Sequence, residues 1–255
     1  MNAQTSTDML LRSLCLTTMV HQYETLADRA ESDGWSFEEY LRNLCEAELC
    51  ERQTRRVKRR LKQAGLPDGK TLATLDQKVL PAKVRRQIPR LLDGAFVDKA
   101  ENVLAFGLPG TGKTHLLSAI AHELVVNHDC RVLFTTTFHL VQQMLMAKRD
   151  LELEKLFRKL DRFDVVLLDD IGYVQQDREE MEVLFTFLSE RYERRSLMIS
   201  SNLVFSEWDK IFKNPMTTAA AIDRLVHHCT ILELDNQSYR AKQARSRQKT
   251  ANKAS

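Results

Sequence analysis

Glycine and proline are scarce in this chain, with 8 and 5 in 255 residues. An all-β sandwich needs turn residues roughly every 8–12 positions, so that class is excluded and long helices with few strands are expected. No apolar run approaches the roughly 18–20 residues of a membrane span, and the tightest cluster, Val165 to Leu168, ends in two aspartates. The N-terminal stretch breaks its apolar residues with Asp8 and Arg12 and lacks a basic start. It does not read as a secretory leader, and a cytoplasmic protein without a membrane segment is expected. Cysteine pairs are missing too: Cys15, Cys45, Cys50, Cys130 and Cys229 are odd in number, scattered and without a CxxC. That pattern suits reduced, buried thiols better than disulfides or zinc.

Acidic residues are absent from two stretches. Seven basic residues (Arg52, Arg55, Arg56, Lys58, Arg59, Arg60, Lys62) lie between 52 and 62, and six more (Arg240, Lys242, Arg245, Arg247, Lys249, Lys253) lie between 240 and 255. Two basic patches therefore stand on a nearly neutral body of net charge +3. Core-forming material is present in ordinary amounts, 43% hydrophobic against 29% charged, which excludes wholesale disorder or a fibrous repeat. The length exceeds a typical domain of about 100–150 residues, so one α/β module with a smaller appendage is expected.

Apolar residues spaced by threes and fours predict a helix over 8–31, broken by Ser32, Asp33 and Gly34. Ser36 with Glu39 forms a capping box that opens a long helix closing at Gly65, with Pro67 beyond. At 1.5 Å per residue its roughly 28 residues span about 40 Å, and its second half carries the first basic run. The N-terminal unit thus reads as a helical pair with a basic tip. Residues 67–100 read as a linker followed by a short helix. Strands are predicted at 102–106, 131–136, 165–169, 197–201 and 230–234, with helices over 113–127, 138–161 and 178–194. This alternation predicts a parallel sheet covered on both faces.

Gly107-Leu108-Pro109-Gly110-Thr111-Gly112-Lys113-Thr114 matches the phosphate-binding loop pattern, after an apolar strand and at the start of a helix. Its glycines let backbone N–H groups turn inward around phosphates, the helix N-terminus adds positive potential, Lys113 supplies a mobile cation, and Thr114 can hold Mg²⁺. The nucleotide-contacting set is Gly107, Pro109, Gly110, Thr111, Gly112, Lys113, Thr114 and His115; His115 itself reads as helix packing rather than a base. Val165-Val166-Leu167-Leu168-Asp169-Asp170 is a buried strand ending in carboxylates. Asp169 would support Mg²⁺ through its water shell, and Asp170 would polarise the attacking water.

Three further residues each allow two readings. Asn202, after the strand at 197–201, can donate to a γ-phosphate and accept from water, or serve as a turn residue. Arg224 can reach a neighbouring subunit's nucleotide, or pair with Asp223 at the surface. Arg240 can contact phosphates from its own subunit, or begin the basic tail. His227-His228 reads as a packed or surface pair, and no metal-binding constellation emerges. Phe185, Phe187, Leu184 and Leu188 read as core.

Together these residues resemble the AAA+ ATPases, in the branch of the replication initiator DnaA and the helicase loader DnaC. They are most similar to the IstB-like transposition helper proteins of insertion sequences. The resemblance runs from about Trp35 to Tyr239. It is carried by Ser36 to Leu41, Gly107 to Thr114, Leu168 to Tyr173, Ser206 to Trp208 and Met216 to Leu225. It implies an α/β AAA+ P-loop domain with a central parallel sheet, plus a small all-helical N-terminal domain. It divides the chain into an N-terminal domain over 1–66, a linker and short helix over 67–100, the ATPase domain over 101–239 and a basic tail over 240–255. Lys113 and Thr114 then carry over as Walker A, Asp169 and Asp170 as Walker B, Asn202 as sensor 1, Arg224 as the trans-acting finger and Arg240 as sensor 2. Many AAA+ proteins have glutamate where this chain has Asp170, whose shorter reach bears on the speed of hydrolysis.

The resemblance also implies ATP-dependent self-assembly on duplex DNA, DNA bending and recruitment of a partner transposase. Arg52, Arg55, Arg56, Lys58, Arg59, Arg60 and Lys62 are the expected DNA-binding residues, acting on phosphates with steep salt dependence. A helix cannot aim all seven at one groove. A second patch, Lys148, Arg149, Lys155, Arg158, Lys159 and Arg162, is diluted by nearby acids. Two competing readings are a helicase loader acting on single strands and an ATP-gated DNA scaffold with negligible turnover.

Overall fold

The computed structural model describes residues 6–173, 177–212 and 215–235. Two units are present, Met1–Arg59 and Arg60–Ser255. Among the described residues no helix is long and apolar enough to cross a membrane.

The first unit holds α1 (Thr7–Ser13), α2 (Thr17–Asp33) and most of α3 (Phe37–Ala64). The single helix expected over 8–31 is broken before Thr17, where Cys15 adopts φ 57°. Apolar spacing continues across that turn, so periodicity alone does not reveal it. Leu16, at the cap position of α2, makes no side-chain cap bond. Glu48 on α3 supplies the cap instead: its Oε2 accepts from the N–H groups of Thr18 (2.7 Å) and Met19 (3.1 Å). Its Oε1 accepts from Arg52 at 2.7 Å and lies 3.6 Å from Arg55. Burial works to raise this carboxyl's pKa, but Arg52 and the two backbone donors outweigh it and hold the group below its ordinary value. Ser36 caps α3 as its spacing predicts, accepting from Glu39 N–H at 3.1 Å.

From Arg60 onward α3 belongs to the second unit, where Leu61 and Ala64 join the core. The boundary expected at 66 therefore falls earlier, within the helix. The stretch 67–100 is likewise built into this unit rather than linking two domains. It forms a 3-10 turn at Gln77–Val79, then α4 (Ala82–Leu92) and α5 (Ala95–Asp98), and it buries Leu80, Val84, Ile88, Leu91 and Phe96. Two of its three prolines punctuate helix rather than loop, with Pro81 immediately before α4 and Pro89 inside it.

The remaining elements are β1 (Asn102–Gly107), α6 (Lys113–His128), β2 (Val132–Thr136), α7 (Thr137–Arg149), α8 (Leu153–Leu160), β3 (Val165–Asp169), α9 (Arg178–Arg191), β4 (Ser196–Ser201), α10 (Asp209–Phe212), α11 (Pro215–Val226) and β5 (Cys229–Leu234). The five expected strands are where the pattern put them. The helix expected over 138–161 is split near Leu151, at φ 58°, and α10 and α11 fill the span between β4 and β5.

All strand pairs are parallel, in the order β2-β3-β4-β1-β5. Side chains alternate between two cores: Val103, Ala105, Val165, Leu167 and Met198 join α4 and α6 on one face, while Leu104, Phe106, Val166, Leu168 and Ile199 join α7, α9 and α11 on the other. Burial on both faces is why these strands read as continuous apolar runs. The registers Phe106↔Ser201, Leu168↔Ile199 and Thr136↔Asp169 align the C-terminal ends of β1 to β4 along one edge. Open parallel sheets bind their ligands at that edge. At the other edge the buried Arg191 guanidinium donates to the carbonyls of Leu160, Phe163, Asp164 and Ser196, tying the end of α8 to the starts of β3 and β4. Burial lowers its pKa to about 10, which leaves it protonated at neutral pH.

The cysteines are free, but Cys15 and Cys50 are exposed and the other three half-buried, so the expectation of buried thiols is corrected.

Candidate nucleotide site

Gly107 ends β1, and the chain from Leu108 to Thr111 closes a turn through Thr111 N–H to Leu108 O, with Pro109 and Gly110 at its corners. Gly112 at φ 99° then opens α6, a left-handed conformation that favours glycine. The Lys113 ammonium donates to the carbonyls of Gly107 (2.6 Å) and Leu108 (3.0 Å), and Thr111 Oγ1 donates to Leu108 O at 2.9 Å. The loop is thus closed around its own cation at the N-terminus of a helix, where anions are stabilised.

Beside it, at the ends of β3 and β4, sits a chain of short hydrogen bonds. Thr114 Oγ1 and Ser200 Oγ each donate to Asp169 Oδ1 at 2.7 Å, and Asp170 N–H donates to Ser200 Oγ at 2.8 Å. Asp170 holds φ 60°, uncommon for a residue with a Cβ. Burial, then the neighbouring Asp169 charge, raise the Asp170 pKa, against the opposing pull of Lys113 and the Gly172 N–H. Among the described residues, Asp170 Oδ1 and Asn202 Oδ1 are buried acceptors with no hydrogen-bond partner. Buried acceptors of this kind are rare without a ligand or water to satisfy them.

His115 Nε2 lies 3.1 Å from Thr74 Oγ1 and 3.3 Å from the Thr71 carbonyl, so it fastens α6 to the segment before the 3-10 turn. Its reading as packing agrees with these contacts. That segment and the loop enclose a cleft of about 310 Å³, walled by Leu75, Val79 and Leu80 on one side and Gly110 to His115 on the other. The apolar wall was not legible in the sequence, because residues 70–80 precede the loop by three elements.

Lys113, Thr114, Asp169, Asp170 and Asn202 are thus gathered at one edge of the sheet. Arg224 is engaged elsewhere: its guanidinium lies over the Phe185 ring at 4.9 Å and Nη1 donates to Ala220 O at 3.1 Å. Arg240 and the basic tail lie outside the described residues. Ser200 and Gly172 were missed from sequence. Ser200 had one usable signal, its position near the C-terminal end of the strand that leads to Asn202.

The first basic run separates into three groups. Arg52, Arg55, Arg56 and Arg59 follow i, i+3, i+4, i+7 spacing and line a polar hollow with Cys15 and Thr17. Within it Arg52 Nη2 donates to Cys15 O at 2.8 Å and Arg55 Nη1 to Thr17 Oγ1 at 2.9 Å. Lys58 and Lys62 are exposed. Arg60 departs from the expected DNA-binding set: its side chain is only 16% exposed and pairs with Asp129 at 2.9 Å. In the second patch Lys148 pairs with Glu182 and Lys155 with Glu152, while Arg149, Arg158, Lys159 and Arg162 are exposed. His227 and His228 are both exposed, the surface pair their sequence suggested. Glu193, His227 and His228 bring three exposed donor atoms within 4.8 Å of one another, and Tyr192 Oη meets His227 Nδ1 at 3.2 Å.

The fold and this site define a P-loop nucleotide-binding protein with an AAA+-type fold. The family described as IstB-like ATP binding protein matches residues 9–247, and the chain belongs to it. An insertion-sequence ATP-binding protein of Sinorhizobium fredii, y4iQ/y4nD/y4sD, is 44% identical over 237 residues, covering 92% of this chain and 79% of that one. The insertion sequence IS21 ATP-binding protein of Pseudomonas aeruginosa is 35% identical, covering 93% and 89%. The crystal structure of the DnaC helicase loader has a TM-score of 0.53 at 17% identity, covering 59% of this chain and 88% of that one, a likeness of fold.

Proposed function

We propose that this chain hydrolyses ATP, assembles on duplex DNA with nucleotide held between copies, bends that DNA and recruits or stimulates a partner transposase. The observation that carries the hydrolytic reading is the pair of buried, donor-less oxygens, Asp170 Oδ1 and Asn202 Oδ1, beside the phosphate-binding loop. A water molecule or a bound ligand can satisfy acceptors of this kind. Asp170 polarises that water for attack on the γ-phosphorus, and the bond to the bridging β–γ oxygen breaks. Lys113 leaves its loop carbonyls to meet the phosphate oxygens. Thr114 and Asp169 would hold Mg²⁺, which supplies neutralisation of the phosphate charge. The apolar wall of Leu75, Val79 and Leu80 suits the adenine ring.

The DNA reading is supported by the arginine stripe and by the insertion-sequence relatives. Arg52, Arg55, Arg56 and Arg59 share one helix face with no acid between 52 and 62 in sequence, although Glu48 and Thr17 already hold part of that charge. Backbone phosphates are the chemistry such a face meets.

Sedimentation of the full chain on duplex and single-stranded DNA, with ATP or ADP, tests the proposal. Large complexes are expected on duplex with ATP only, and Lys113→Ala should form none and lose nucleotide binding. Preference for single strands would favour a helicase loader. Assembly with no phosphate release would favour a scaffold, and unchanged nucleotide affinity in Lys113→Ala would overturn the site.

A further inference from the structure

We infer that Ser200 is a positioning residue for hydrolysis, its single hydroxyl clamping both acidic residues at the end of β3; this rests on the ATPase reading above. A backbone N–H can only donate, so Ser200 Oγ is the acceptor in its 2.8 Å contact with Asp170 N. Its own hydrogen is then directed to Asp169 Oδ1 at 2.7 Å. The two neighbours demand opposite roles, and the hydroxyl rotor is left with one orientation. Thr114 donates to the same Asp169 oxygen, so the phosphate loop, β3 and β4 meet at one atom.

The clamp bears on the backbone of Asp170. A left-handed φ of 60° is uncommon outside glycine, though aspartate tolerates it better than most, and contacts around the residue favour it. Ser200 supplies one such contact from the adjacent strand, where it is 1% exposed, beside the Gly172 N–H that holds the Asp170 carboxyl. The neighbouring Ser201 has the opposite facing and a different partner, the Leu203 carbonyl. Asn202 follows β4 directly, so the strand that fixes the base also leads to the second acceptor. Without the hydroxyl, Asp170 N–H loses its partner and Asp169 loses one of its two donors, keeping Thr114, whereas the loop's own bonds from Lys113 and Thr111 do not involve Ser200.

Three substitutions separate positioning from simple stability: Ser200→Ala and Ser200→Cys remove the strong hydroxyl, and Ser200→Thr keeps it. In the nucleotide-free full chain, amide exchange at Asp170 should quicken by about tenfold or more in the first two and stay slow in Ser200→Thr. Equilibrium binding of MgATP should remain within about threefold of wild type in all three, which also shows that they fold. The kcat for phosphate release should drop by roughly tenfold or more in Ser200→Ala and Ser200→Cys at little-changed KM, with Ser200→Thr retaining most of it. Unchanged Asp170 exchange, or a kcat in Ser200→Ala within twofold of an active wild type, overturns the inference. A wild-type chain that releases no phosphate overturns the ATPase reading and the kinetic role with it, while the exchange measurement still decides the clamp.

Discussion

Gly172 has a backbone that any residue could adopt, yet a Cβ added there would overlap Asn202 Oδ1 and crowd Leu203 Cγ at 3.2 Å. Its requirement is for room at the Asn202 side chain, unlike Gly112, whose φ of 99° is itself the reason for glycine. Gly172→Ala should push the Asn202 amide aside and lower phosphate release by about tenfold, with MgATP affinity within about threefold of wild type. Steady-state kinetics beside equilibrium binding check this, and full activity in the variant would show that Asn202 has no part in turnover. Lys113 and Thr114 were legible because the phosphate loop is local, spelled out in consecutive residues between a strand and a helix, and Asp169 and Asp170 because they close an apolar strand. Ser200 and Gly172 were not, since each acts on a residue of another element and carries no local signal of doing so.

Among the elements, α2 depends on α3 for its start, because Glu48 rather than a residue of α2 satisfies the Thr18 and Met19 N–H groups. The folded pKa of Glu48 lies below the ordinary glutamate value of 4.5. Its contribution is therefore fully present above that value and is lost as the pH falls through the lower folded value. Hydrogen exchange over residues 17–24 should show the start of α2 loosening on acidification in this window. Glu48→Gln should remove that component and weaken the contact by roughly 2 kcal/mol already at neutral pH. Equal protection in both chains across the window would show that Glu48 does not hold α2. The same contacts qualify the basic run: Arg52 and Arg55 serve the Glu48 cap, and Arg60 serves Asp129. Counting charges along the sequence could not separate these from Arg59, Lys58 and Lys62, because the carboxylates concerned lie outside the run.

At the scale of the whole molecule, Arg224 is held in its own chain by Phe185 and the Ala220 carbonyl, so a role as a finger requires a second copy. Arg224→Ala should leave nucleotide binding by the isolated chain unchanged and cut phosphate release by the DNA-bound assembly by at least about 100-fold. Wild-type turnover by the assembled variant would dismiss the finger. The sequence by itself determined the class of fold and the phosphate site. Apolar strands alternating with helices, and a glycine-rich loop with Lys113 and Thr114 followed by Asp169 and Asp170, are signals written in consecutive residues. Tertiary structure alone decided that 67–100 belongs to the nucleotide-binding unit, that α3 passes from one unit into the other at Arg59 and Arg60, and that Ser200 joins the two acids. The reason is physical: periodicity and motifs report what a residue does to its chain neighbours. Strand order, burial and the pairing of a hydroxyl with two carboxylate-bearing residues depend on which distant segments the fold brings within about 3 Å.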